Sequence, residues 1–65
     1  MMNMNELSNV LLHYGRVTSD ISFTINEKFG NCTNYYTRVR TFIYNGKPFY
    51  HVMVNGEVKE CFELK

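Results

Sequence analysis

The chain is 65 residues long, with seven Lys plus Arg against six Asp plus Glu and a formal net charge of +1. That length supports one domain of marginal size, residues 1–65, and the near-balanced charge excludes a strong one-signed field for nucleic acid or an anionic membrane. No stretch approaches the ~20 consecutive apolar residues of a membrane-spanning helix, so no membrane partner is expected. Met1 to Glu6 lacks the basic-then-apolar pattern of a signal peptide, and Cys32 and Cys61 are the only cysteines. The expectation is a cytoplasmic protein with reduced thiols, in which Asn31-Cys32-Thr33 matches a glycosylation pattern without carrying a glycan.

The first predicted element is a short helix. Asn3-Met4-Asn5-Glu6 places a polar cap three residues before an acid, the arrangement of a capping box. Met4, Leu7, Leu11 and Tyr14 then recur at spacings of three and four on one side; Val10 widens that stripe, and Leu12 lies off it. Gly15 is expected to end the helix in a left-handed conformation. Arg16 to Asp20 reads as a link, after which Ile21, Phe23 and Ile25 alternate with Ser22, Thr24 and Asn26 as an edge strand with one wet face. Gly30 to Asn34 reads as a polar loop.

The stretch from Tyr35 to Lys65 contains Asn45-Gly46 and Asn55-Gly56, each flanked by strand-forming residues. Asn-Gly suits a two-residue hairpin turn because both central positions need positive φ, and two such turns predict a three-stranded meander. The first turn pairs Tyr44 with Lys47, Phe42 with Phe49, Arg40 with His51 and Arg38 with Met53. The second pairs Val54 with Glu57, Met53 with Val58, Val52 with Lys59, His51 with Glu60, Tyr50 with Cys61 and Phe49 with Phe62. Pro48 cannot donate to a ladder and belongs near the start of its strand. The fold class is thus α+β: an N-terminal helix on a four-stranded antiparallel sheet in the order 1-2-3-4.

This register sorts the side chains into two faces. One carries Tyr36, Arg38, Arg40, Phe42, Tyr44, Phe49, His51, Met53, Val58, Glu60, Phe62 and Leu64, with the row Phe42, Phe49, Phe62 resembling core. The other carries Tyr35, Thr37, Val39, Thr41, Ile43, Tyr50, Val52, Val54, Glu57, Lys59, Cys61 and Glu63, and its Val39, Ile43, Tyr50, Val52 and Val54 are more apolar surface than a solvated sheet face usually shows. Strand four favours the phenylalanine face as the one beneath the helix, and strand two partly contradicts it. One helix covers one face, so the other needs a different cover.

Chemistry finds little purchase. Two Cys and two His match a zinc site in number, but Cys32 and Cys61 are far apart and the derived register points His51 and Cys61 to opposite faces. Cys61 opposite Tyr50 reads as a small buried hydrophobe, the glutamates form no inward-facing catalytic pair, and Gly15, Gly30, Gly46 and Gly56 stand singly rather than in a phosphate loop. No cofactor, metal or enzymatic activity is expected.

The row Arg40, His51, Glu60, flanked by Arg38, Tyr36 and Tyr44, fits a cross-strand ion network, a protein hot spot or a nucleic-acid-binding face. Glu60 opposes the last of these by repelling phosphate. The favoured function is a small non-enzymatic protein-binding module, an inhibitor, adaptor or regulatory subunit that works by occlusion or tethering and forms a homodimer. Its binding face is Tyr35, Val39, Ile43, Tyr50, Val52 and Val54. The alternatives are a nucleic-acid-binding module using Tyr36, Arg38, Arg40, Tyr44 and His51, and a structural homo-oligomer. The uncharged stretch Ile21 to Ile25 is the expected edge for sheet extension, with no charge before Glu27.

Overall fold

The computed structural model describes residues 2–25 and 34–65. Helix α1 (Met4–Tyr14) is followed by strands β1 (Arg16–Ile25), β2 (Tyr35–Tyr44), β3 (Lys47–Val54) and β4 (Glu57–Glu63). The strands form one antiparallel sheet in the order β1-β2-β3-β4, as the sequence predicts. The loop expected at Gly30 to Asn34 falls outside the described residues except at Asn34, as do Cys32, the Asn31-Cys32-Thr33 pattern, Asn26 and Glu27.

The Asn3 cap forms, with the reciprocal Glu6 contact made to the Asn3 side-chain amide. The Asn3 side-chain oxygen accepts from the Glu6 backbone N–H at 2.9 Å, and the Asn3 amide donates to the Glu6 carboxylate at 3.0 Å. The other end departs from expectation: Gly15 has φ −75° and ψ 153°, so the helix ends in extended rather than left-handed backbone. Glycine is needed there for space, because an added Cβ would lie 2.6 Å from the Leu11 carbonyl oxygen and 3.0 Å from Phe42 Cδ1. Gly15 thereby lets the chain turn directly onto the sheet.

It enters that sheet at once. Arg16 to Asp20 is strand rather than link, so β1 carries two charges of its own, Arg16 and Asp20. A bulge at Thr18 hides this from the alternation: Val17 lies opposite Phe42 and Ser19 opposite Thr41, leaving Thr18 unpaired. The Thr18 and Ser19 hydroxyls each lie 2.7 Å from the Thr41 hydroxyl.

Both Asn-Gly turns have positive φ at both central residues, 52° and 72° at Asn45 and Gly46, 51° and 82° at Asn55 and Gly56. The β2–β3 register follows as predicted. The β3–β4 register begins as predicted, with Val54 opposite Glu57 and Met53 opposite Val58, and then slips at a bulge. Val52 pairs with Glu60 rather than Lys59, His51 with Cys61 rather than Glu60, Tyr50 with Phe62 rather than Cys61, and Phe49 with Glu63 rather than Phe62. The physical reason is the helix. Without the bulge Glu60 would point beneath α1, and burying an unpaired carboxylate is costly. The extra residue brings the small Cys61 under the helix and moves Glu60 to the opposite face.

The helix covers the phenylalanine face. Leu11, Phe42 and Phe49 are the buried hydrophobic residues among those described, with Leu7, Tyr44 and Cys61 packed against them. Phe62 leaves the expected core row and joins the other face beside Tyr50. Tyr14, expected on the buried helix stripe, is 77% exposed at the end of α1, while Leu12 is exposed as its position off the stripe predicts. No described helix is long and apolar enough to cross a membrane.

Candidate functional site

The face away from α1 is built by all four strands. The expected residues Tyr35, Val39, Ile43, Tyr50, Val52 and Val54 all lie on it and are half-buried. The β1 pairing adds Ile21 opposite Val39, Phe23 opposite Thr37 and Ile25 opposite Tyr35. The slipped β4 register adds Phe62 opposite Tyr50. These additions are the most open part of the face: Ile21 is 61% exposed, and Phe23 and Phe62 are each 44% exposed.

Across its middle run Ile21, Val39 and Val52, ending in Glu60 on the β4 margin. Beside it run Phe23, Thr37 and Val54, ending in Glu57. Arg16 stands at a β1 corner opposite Ile43, so the ionised residues sit at the margins and the centre is uncharged. The face is more apolar than the solvated side of an antiparallel sheet usually is, and its ionised residues are confined to the rim. The alternation of Ile21, Phe23 and Ile25 announces their shared face in the sequence; the strand pairing places it beside Val39.

The helix-side face holds the polar constellation in a different state. The Arg38 guanidinium donates twice to Asp20, at 3.0 and 2.6 Å, which lowers the Asp20 carboxyl below its ordinary value and raises Arg38, chiefly through that hydrogen bond. Arg40 is 8% exposed, lies 5.6 Å from the Phe42 ring centroid and donates to the Met53 sulfur at 3.4 Å. Burial lowers its affinity for the proton, and neighbouring Arg38 adds to this. Its Nε is buried and finds no acceptor.

His51 is fully buried beneath α1, with Nε2 2.7 Å from the Ser8 hydroxyl and its ring edge-on to Phe42. Nδ1 has no hydrogen-bonding partner. Burial, then Arg40, then Arg38 push the imidazole below its ordinary pKa and favour the neutral ring. Ser8 is 2% exposed, so this serine–histidine pair is closed to solute and ties the helix to the sheet. Its sequence signal is a serine interrupting the apolar stripe between Leu7 and Leu11.

The bulge brings Cys61 and His51 to the same face, correcting the opposed arrangement derived from the sequence. Burial raises the Cys61 thiol above its ordinary pKa, keeping it protonated, and no group of three His, Cys, Asp or Glu among the described residues is arranged to hold a metal. Glu60 leaves the expected row Arg40, His51, Glu60, so no cross-strand ion network forms there. Of the five arginine–tyrosine-face residues, Tyr36 is exposed and Arg38 half-exposed, Tyr44 packs on the core, and Arg40 and His51 are buried. They do not present one open surface. Comparisons with protein-family models, with curated proteins and with solved structures find no match to this chain.

Proposed function

We propose that this chain is a small non-enzymatic protein-binding module acting in the cytoplasm, where the free thiol of Cys61 stays reduced. Its working surface is the helix-free face, and it acts by occlusion or tethering, as inhibitors, adaptors and regulatory subunits do. Homodimer formation belongs to the same reading, because a second copy can cover the same surface.

The observation that carries this is the contiguous apolar face of Ile21, Phe23, Val39, Tyr50, Val52 and Phe62, which α1 leaves open. Among the described residues the buried hydrophobic core is Leu11, Phe42 and Phe49, and chains of this size commonly gain stability from association. The arginine–tyrosine face is the weaker candidate: Arg38 is engaged by Asp20, and Arg40 and His51 are not displayed.

The test is affinity capture with the tagged chain, with and without nuclease, comparing wild type with Val52→Asp and Arg38→Ala. The expected result is a protein retained after nuclease and lost with Val52→Asp alone, with both variants folded by circular dichroism. Capture lost on nuclease or with Arg38→Ala, and unaffected by Val52→Asp, would refute the proposal.

A further inference from the structure

We infer that the helix-free face is covered by a second copy of this chain, packed face to face into an eight-stranded sandwich with β2 of one copy over β3 of the other. This rests on the reading of that face as an interaction surface and names its occupant.

Area is the first argument. Four strands spaced ~4.8 Å apart and about eight residues long make a face of ~19 by ~26 Å, roughly 500 Å² per copy. The pair would bury roughly 1,000 Å², the size that a specific interface has to reach. Stacked sheets meet at ~10 Å, a spacing filled by side chains of the size this face carries.

Charge selects the arrangement. The acids Glu57 and Glu60 lie along the β4 margin, whereas the β1 margin carries Ile21, Phe23 and Ile25 with Arg16 at its end. A two-fold axis across the strands would lay β4 on β4 and bring Glu60 onto Glu60 of the other copy, a like-charge contact. An axis along the strands lays β4 over β1 and β2 over β3. Glu60 of one copy then lies over Ile21 of the other and Glu57 over Phe23, clear of the other copy's acids and with their carboxylates at the solvent edge. Val39 of one copy comes to face Val52 of the other at the centre, and Phe62 falls beside Ser19 and Ile21.

Sedimentation equilibrium from micromolar to millimolar protein tests the mass, and isotope-filtered NOE spectra of a mixed labelled and unlabelled sample test the geometry. Expected are 15.4 kDa, twice the 7.7 kDa of the chain, with intermolecular NOEs from Val39 to Val52 and from Ile21 to Phe62. Val52→Asp should weaken the dimer roughly 100-fold or more by facing carboxylates into an apolar centre, while Tyr36→Ala on the helix side leaves it unchanged.

A 7.7 kDa mass throughout, or a dimer whose NOEs join Ile21 to Ile21 or arise from α1, would overturn the proposal. If Val52→Asp does not fold, the wild-type NOEs decide. A monomer that still captures a nuclease-resistant protein through Val52 would sink the sandwich and leave the binding-module reading standing. A monomer that captures nothing would sink both.

Discussion

Replacing Ser8 by alanine tests how the helix is held to the sheet. His51 is fully buried, and the Ser8 hydroxyl at 2.7 Å is its one hydrogen-bonding partner, so Ser8→Ala leaves both ring nitrogens unsatisfied. Removing one partner of a buried hydrogen bond costs about 1–3 kcal/mol; taking the middle, ~2 kcal/mol lowers the melting midpoint of a domain this size by roughly 8–16 °C. That is a large part of the ~3–10 kcal/mol available to 65 residues.

The reciprocal change behaves differently. In His51→Leu the orphaned Ser8 hydroxyl can turn to the helix carbonyl four residues back, and the double variant Ser8→Ala with His51→Leu removes both polar groups. The double variant should therefore be more stable than the sum of the single losses by at least ~1 kcal/mol. Urea unfolding followed by circular dichroism at pH 7.5 measures this, at one fixed protein concentration because association adds to apparent stability. A Ser8→Ala loss below ~0.3 kcal/mol, or strictly additive variants, would refute the reasoning.

Other expectations follow from the same geometry. His51 has its pKa lowered in the folded state, so the unfolded chain binds the proton first. Stability should fall as pH drops below the unfolded value of ~6.5, and His51→Leu should flatten that part of a pH series of urea midpoints. Leu11→Ala should cost about 2–5 kcal/mol in the same unfolding assay, because Leu11 is fully buried against Phe42 and Phe49. Gly15→Ala should lower the thermal midpoint by several degrees despite alanine's helix propensity, since its Cβ would press the Leu11 carbonyl and Phe42. Arg38→Ala should leave the thermal midpoint within the scatter of repeats, because its ion pair with Asp20 lies in solvent.

The strongest local signals carried over into structure unchanged. The Asn-Gly turns require positive φ at adjacent residues, which aligned β2 with β3 residue by residue, and the Asn3–Glu6 cap marked where α1 begins. Within the sheet, what escaped was tied to the two bulges. Thr18 breaks the period of two in β1, so the polar half from Arg16 to Asp20 reads as connection. The bulge beyond Val58 has no composition of its own; it answers a tertiary demand to keep Glu60 from beneath the helix. That one-residue slip exchanged Cys61 and Phe62 between faces, as the strict two-residue period requires. The open apolar face was visible in Val39, Ile43, Tyr50 and Val52, but its most exposed members, Ile21, Phe23 and Phe62, depended on registers that only the folded chain supplies.

The central claim is that the helix-free face is the surface this protein works through, and solvent paramagnetic relaxation with a neutral gadolinium chelate tests it most directly. In dilute protein, side-chain signals of Ile21, Phe23, Ile25 and Phe62 should broaden together with those of Leu12, Tyr14 and Tyr36, all exposed in the free chain. At high protein concentration, or with a captured partner added, the first four should become protected while the last three stay broadened. Unchanged broadening of Ile21 and Phe62 on association, or protection confined to Tyr36 and the helix, would contradict the account.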